Sequence, residues 1–446
     1  MSASFERGLE ALRDAIDAPV ASFFSSCVHC GLCAQACMFY TETGDPKYTP
    51  IRKLEPLKKV WWQEFTLLGR LARLARLAAP VTDDMLAEWS ELIYDSCTLC
   101  GRCSMVCPVG NDIAAMMRKV REAISAAGHA PPDLVEAATR ALALGSPMGV
   151  KWHTVQAQIS HIEADTGFTI PVNREGSEYM VIMSSMEVIN YPEYLGALAR
   201  IFSQAGIGWT LSSEAFEATN VGVQIGASDI ARKLVLRIVE AAERLKVKAV
   251  ISPECGHAYT AMRWEGPNLI GRPFAFRVVH ILELLDELRR QGRLRTRGRR
   301  PGPLTFHDPC QLVRRGGVVD QPRRLLEMVA ADFREMNDCG TLNWCCGGGG
   351  GVSAIDRAAG LRLKAFTRKK DQIEEIGVGT VVTACANCRT TLEDGIEHYR
   401  MSVEVLGLTE LIAQYLAEDG TSVSAGEAVP SIEALSNSRS AGPLVA

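Results

Sequence analysis

The chain has 446 residues, enough for about three domains at the usual domain size. Hydrophobic residues make up 47% and charged residues 22%, which excludes a fibrous or mainly disordered chain. A net charge of −4 gives no general basic field, so no nucleic-acid partner is expected.

At the N-terminus Phe5, Leu9, Leu12 and Ile16 fall on one face of a predicted helix. No apolar core follows a basic start, so no secretory leader is expected, and no apolar run predicts a membrane-spanning helix. A reducing, cytoplasmic setting follows as the expectation. There, 15 cysteines at close spacing mean metal or redox chemistry rather than disulfides.

Cys27, Cys30, Cys33 and Cys37 form C-x2-C-x2-C-x3-C, and Cys97, Cys100, Cys103 and Cys107 repeat it, followed by Pro108. This is the bacterial ferredoxin run, in which three thiolates on a tight turn hold one cubane while the fourth reaches the other cluster. The expected sets are therefore Cys27, Cys30, Cys33 and Cys107 for one [4Fe–4S] cluster, and Cys97, Cys100, Cys103 and Cys37 for the second. A structural zinc site would use only two cysteine pairs and leave the third spacing unexplained. His29 is expected to shape the first cluster's surroundings rather than to ligate. Between the blocks lies a 59-residue insertion, 38–96, predicted helical. Within it Leu71, Leu74 and Leu77 recur every third residue, as do Arg70, Arg73 and Arg76. The expectation is a helix packed on its own domain with the arginines in water. The alternative is a basic amphipathic helix on a membrane surface or partner.

From Glu178 onward, short apolar runs at 179–185, 247–253, 304–309 and 378–384 alternate with helical patterns such as 227–247 and 354–376, which predicts a parallel α/β sheet. Seven arginines crowd Arg289 to Arg300, read as a solvated linker. Residues 250–260 align without gaps on 381–391, and 220–228 on 345–353, which predicts two similar halves. The end of the chain is rich in Ser, Ala, Gly and Glu and is read as a disordered tail.

Cys310, Cys345-Cys346 and Cys385-x2-Cys388 bring five thiols from three chain segments that follow predicted strands. Loops at the carboxyl ends of parallel strands share one crevice, and five thiolates exceed what one zinc takes. Gly347 and Gly348 open a glycine run that lets backbone approach a bulky cluster and give N–H bonds to its sulfurs. The run lacks the Lys-Ser/Thr of a phosphate loop. His307 and Asp308, just before Cys310, read equally well as hydrogen-bond or proton donors at a cluster and as a strand-end turn set by Pro309. Cys339 is read as a structural or free thiol, and His129, His153, His161, His280 and His398 as ordinary.

The pattern Cys310…Cys345-Cys346-Gly347…Cys385-x2-Cys388 resembles the CCG domain. Together with the ferredoxin blocks, nearly the whole chain resembles the D-type polypeptide of heterodisulfide reductase, which is similar to the C-type and B-type polypeptides fused. It is also similar to the K subunit of the sulfite-reductase-linked membrane complex and to the Hdr-like proteins of sulfur oxidisers. More distantly it resembles the iron–sulfur subunits of glycolate oxidase and anaerobic glycerol-3-phosphate dehydrogenase. The fold this implies is α+β and multidomain. An N-terminal α-helical ferredoxin domain (1–150) and a linker (151–177) precede two duplicated Rossmann-like α/β CCG-type halves. The first half is degenerate (178–288); after the arginine linker (289–303) comes the complete one (304–417), then the tail (418–446).

The resemblance implies two cubane [4Fe–4S] clusters and a non-cubane [4Fe–4S] cluster on the five cysteines, where a disulfide is cleaved or formed. One such cluster is expected rather than two, because the first half lacks the ligands. In the gapless alignment Asn220 and Val221 stand at Cys345 and Cys346, Glu254 and His257 stand at Cys385 and Cys388, and Cys255 is displaced by one residue. Cys255 is then either a substrate-facing thiol, with His257 as proton donor to a leaving thiolate, or a relic packed as a small hydrophobe. Tyr259 and Arg263 could add substrate contacts. The leading expectation is a thiol/disulfide oxidoreductase subunit whose substrate is a small-molecule or carrier-borne disulfide. The alternative is an electron-transfer subunit of a flavin-dependent 2-hydroxy-acid dehydrogenase. Either needs a redox partner: a membrane cytochrome, a quinone-reactive subunit or a flavoprotein. Attachment at the inner face of the membrane would be through that partner.

Overall fold

The computed structural model describes residues 2–218 and 220–417; the expected tail lies outside them. The Ser2 hydroxyl accepts from the Phe5 N–H and starts helix α1 (Ala3–Asp14), which buries Phe5 and Leu12. Asp17 caps α2 (Ala18–Ser26), whose C-cap is Cys27. The insertion is helical: α3 (Glu55–Phe65), α4 (Leu67–Leu74) and α5 (Asp83–Asp95). After the second cysteine block α6 (Ile113–Ala126) returns along α1, and a Cβ on Gly8 would lie 2.4 Å from that of Ala127.

Residues 151–177, expected as a linker, are not one. They contain a helix, Trp152–Thr166, whose Val155, Ile159 and Ile162 join the core of the first sheet. That sheet is parallel, with strands β1 (Tyr179–Val181), β2 (Trp209–Leu211), β3 (Ala249–Ser252) and β4 (Arg277–His280) in the order β2-β1-β3-β4. After β3 comes the short α7 (Gly256–Thr260), and after β4 α8 (Ile281–Arg290). The second sheet holds β5 (Arg300–His307), β6 (Ala330–Phe333), β7 (Thr380–Thr383) and β8 (Glu404–Gly407), parallel, in the matching order β6-β5-β7-β8. Its helices include α9 (Gln321–Val329), α10 (Ala359–Ile376) and α11 (Ala386–His398).

The arginine-rich stretch is also docked rather than free. Arg289 bonds Asp286 at 3.0 Å, Arg293 Nε donates to the Ala205 carbonyl at 2.9 Å, and Arg300 opens β5 and pairs with Glu404. Two buried clusters form the core. One joins the first sheet to parts of the second. The other joins the N-terminal helices to the second α/β half, with Cys310, Cys345, Cys346, Cys385 and Cys388 inside it. Among the described residues no helix is long and apolar enough to cross a membrane.

Candidate functional site

The two ferredoxin-type blocks fold into twin turns. His29 and Leu99 take left-handed backbone at φ 52° and 56°, and Gly31 and Gly101 follow at 80° and 78°. His29 is exposed, so its peculiarity is the turn it occupies. Each turn ends in a short helix, Leu32–Gln35 or Arg102–Met105. Cys33 lies within electrostatic reach of Cys27, Cys30 and Cys107; burial first, then those neighbours, push its thiol up to about 11. Cys103 is raised likewise by burial and by Cys100, Cys97 and Cys37. The first quartet is the outer one, with Cys30 exposed.

Two cations that hydrogen-bond no carboxylate among the described residues line the inner quartet. Lys53 is buried, with its Nζ 3.6 Å from Cys37 Sγ and bonded to the Ser96 carbonyl. Arg121, on α6, is fully buried and bonds only carbonyls: Nη1 to Gln224 (2.6 Å) and Gly350 (2.5 Å), Nη2 to Ile93 (3.2 Å) and Cys97 (2.6 Å). A buried cation without a carboxylate needs some other anion nearby. Lys369, also buried, stands instead by the second constellation: burial lowers it to about 8, against the pull of Asp308, Cys345, Cys346 and Cys388.

The five thiols of the second constellation lie beside the inner quartet, none more than 5% exposed. Cys310 follows β5; Cys385 is the N-cap of α11, and Cys388 stands one turn on, on the same face. Because β5 and β7 are neighbours in the sheet, these loops meet. Cys310 and Cys345 sulfurs are 3.9 Å apart, and those of Cys346 and Cys388 3.4 Å. Gly347 N–H points to Cys345 Sγ at 3.4 Å and Gly348 N–H to Cys346 Sγ at 3.5 Å. The rest of the glycine run serves a different purpose from the expected one. A Cβ on Gly349 would lie 3.0 Å from the Thr98 carbonyl oxygen, and one on Gly350 2.9 Å from its carbon. The run is therefore bare because the inner ferredoxin turn presses on it. Gln311 Nε2 to the Leu99 carbonyl (2.7 Å) and Arg314 Nη1 to that of Cys100 (2.9 Å) complete this seam.

His307 is fully buried with neither ring nitrogen partnered, and its ring forms a compact donor group with Cys346 and Cys388. An imidazole left so would be costly. Clustered thiols, N–H groups aimed at sulfur, and this orphaned ring together fit an iron–sulfur cluster. Asp308 is engaged elsewhere: it takes Arg323 (2.8 Å) and the Gly340 N–H (2.7 Å). Cys339 is half-buried beside Glu335, away from the five thiols.

The gapless alignment of the halves is out of register by one residue. Cys255 caps α7 at φ −144°, ψ 101°, as Cys385 caps α11 at φ −157°, ψ 112°. The loop after β3 holds Pro253 and Glu254 where the loop after β7 holds only Ala384. Cys255 is thus the positional counterpart of Cys385, and Ala258 that of Cys388. The two capping cysteines also meet: the Cys255 thiol is raised by its hydrogen bond with Cys385 and by burial. His257 is buried and neutral, lowered to about 4 by burial, and its Nε2 accepts the Gly350 N–H at 3.3 Å. Its Nδ1–H is then left to donate a hydrogen bond, and the neutral ring does not match the expected proton donor. Tyr259 and Arg263 turn into their own half, onto Glu283 (2.9 Å) and the Val278 carbonyl (3.1 Å).

Sequence reasoning did not find a small cavity where Cys385 meets Tyr194, Glu187, Glu254, Glu410 and Arg389. Burial, then Glu410, push Glu254 up to about 8. Three acids dispersed over separate helices and loops leave no local motif.

These features define an iron–sulfur protein of the oxidoreductase class. The 4Fe–4S dicluster domain family matches residues 24–111 and the cysteine-rich domain family matches 304–393. Over most of its length the chain resembles heterodisulfide-reductase-type iron–sulfur subunits. It is 27% identical to the Hdr-like menaquinol oxidoreductase iron-sulfur subunit 2 of Archaeoglobus fulgidus, covering 92% of this chain and 82% of that protein. It is 26% identical to the D-type polypeptide of the dihydromethanophenazine:CoB–CoM heterodisulfide reductase of Methanosarcina mazei, covering 88% and 93%. The EtfAB:quinone oxidoreductase of Syntrophomonas wolfei is 26% identical over 83% of this chain and 55% of that protein.

Proposed function

We propose that the chain is the disulfide-handling, electron-transferring subunit of a larger redox complex. Cys27, Cys30, Cys33 and Cys107 would hold an outer cubane [4Fe–4S] cluster, and Cys97, Cys100, Cys103 and Cys37 an inner one. Cys310, Cys345, Cys346, Cys385 and Cys388 would hold the non-cubane [4Fe–4S] cluster, braced by Gly347, Gly348 and His307. When bound, these groups supply a path for single electrons to the place where a disulfide, or a related sulfur–sulfur bond, is cleaved or formed. Cleavage takes two electrons and two protons and yields two thiols.

The observation that carries this reading is the contact between the inner quartet and the five thiols: Cys100 lies within electrostatic reach of Cys310 and of Cys345. Cys255, set against Cys385, would be the thiol offered to an incoming sulfur, and His257, held neutral, would give a hydrogen bond from Nδ1 while the two protons come from solvent. The shared strand order of the sheets and the matching caps at Cys255 and Cys385 support reading the halves as a duplication. The named relatives act in quinol- and phenazine-linked oxidoreductions, so a membrane redox subunit is the partner we infer. Enclosure of all five thiols favours a second reading, a pure conduit serving a flavoprotein that oxidises a 2-hydroxy acid.

Iron quantitation and EPR on anaerobically purified protein, followed by thiol addition under oxidising conditions, test this. The expected result is about twelve irons per chain and a thiol-dependent paramagnetic signal that Cys345→Ser removes. About twelve irons with no response to thiol would select the conduit. About eight irons would mean that the five thiols hold no cluster.

A further inference from the structure

The leucine-rich helix packs on its own domain but does not bury its leucines there. Its leucines face outward: Leu67 is 75% exposed, Leu68 73%, Leu71 54% and Leu74 83%, and Leu77 just beyond is 83% exposed. Its inward contact is a glycine. A Cβ on Gly69 would lie 1.7 Å from the Trp62 carbonyl oxygen, so α4 is clamped on α3 with its leucine ridge turned away from the protein. The exposed Phe65 and Trp62 extend the apolar surface onto α3.

Five exposed leucines in eleven residues cost solubility unless something covers them. Arg70, Arg73 and Arg76 flank the ridge, in a chain that is acidic overall. Arg73 shares a single carboxylate, Glu64, with Arg13, at 3.0 and 2.8 Å, so the patch keeps net positive charge. A projecting apolar ridge, flanking arginines and an aromatic edge together match a helix lying in the interface of an anionic bilayer. The same helical unit carries the outer cysteine quartet: α2, which ends at Cys27, packs Phe24 on Trp61 of α3 at 5.3 Å between rings.

We propose that α4, with Trp62 and Phe65, is a membrane-surface anchor that beds its leucines in an anionic bilayer. The anchor is peripheral: it buries one ridge of a short helix and spans nothing. It goes beyond the redox reading above and holds for either version of it.

The test is flotation of the full chain, loaded with iron, on vesicles of phosphatidylcholine alone or mixed with phosphatidylglycerol. The protein is expected to float with the mixed vesicles about tenfold better than with phosphatidylcholine alone, and less well as salt is raised. Leu71→Glu/Leu74→Glu is expected to stay at the bottom while keeping the native visible absorption and iron content. Arg70→Gln/Arg73→Gln is expected to erase the preference for phosphatidylglycerol. The proposal is overturned if the native chain floats with neither vesicle or the leucine variant floats as the native chain does. It is also overturned if light scattering finds a native dimer that the leucine variant converts to monomer, because the ridge would then join two copies.

Discussion

Arg121 carries the sharpest electrostatic consequence. It is buried among carbonyls and bonds the Cys97 carbonyl; Cys97 leads the groups that favour its charge, while Asp95 acts on it more weakly and is itself bonded to Arg357, so an anion in the inner quartet would complete its balance. A cation beside a redox centre favours its reduced form. Arg121→Met is therefore expected to lower the midpoint potential of the inner cubane by on the order of 60 mV, the one-electron equivalent of a tenfold shift, and to leave the outer cubane unchanged. Redox titration followed by EPR reads this directly. Lys53→Met is the second variant, should the first fail to fold, and an unchanged or raised midpoint would refute the idea. The thiols themselves were legible because their spacing is itself the chemistry. The cations were not: Lys53 sits in an ordinary Ile-Arg-Lys-Leu context. Arg121 left a trace, as a charge inside the apolar stripe of Met117, Val120 and Ile124. The register of Cys255 differs from the ungapped alignment because one loop is a residue longer than the other, which only the capping position reveals.

At the level of elements, α8 of the first half and α9 of the second are joined by Asp286, which takes Arg324 at 2.7 Å and Arg289 at 3.0 Å. Burial works against this carboxylate's charge, but the bonds from Arg324 and Arg289 outweigh it and hold the group below its ordinary range. A depressed pKa contributes stability above the unfolded value and loses it as pH falls through the folded one. Asp286→Asn is expected to cost about 1–3 kcal/mol at neutral pH and to flatten the acid limb of the stability curve below about pH 4. Denaturant melts at several pH values check it; equal losses at pH 7 and pH 3 would rule the linkage out. The strands behave in keeping with their burial. The four apolar runs became β1, β3, β5 and β7, whose β-branched residues are covered on both faces. Strands β2, β4, β6 and β8 are the edges of the two sheets, and their Trp-Thr-Leu, Arg-Val-Val-His, Ala-Ala-Asp-Phe and Glu-Val-Leu-Gly lack a continuous apolar run. The leucine helix departs from expectation for another reason: periodicity tells which residues share a face, but not whether that face looks inward.

Over the whole molecule the five thiols of the second constellation lie inside the packing, while the outer quartet reaches the surface at Cys30. The five buried thiols share a core with the N-terminal helices, and the glycine run is pressed on Thr98. Removing iron is therefore expected to weaken the helical part and the second sheet together, in one cooperative step at lower temperature. Calorimetry of native and iron-depleted protein distinguishes this from an early melt of residues 1–150 alone, which would contradict the shared core. Composition and repeat pattern divide the chain at 151–177 and 289–303, where the structure has a packed helix and docked arginines instead. Pattern marks where a sequence changes character, whereas contacts decide where a chain can come apart. One last property follows from the way the quartets interleave. Cys37 reaches forward to the second block and Cys107 back to the first, so the segment 38–96 is gripped at both ends. The entropy of closing such a segment grows only with the logarithm of its length. It can lengthen, shorten or acquire a new surface while its two fastenings keep their geometry, which makes it the part of the chain freest to be rebuilt for a different dock.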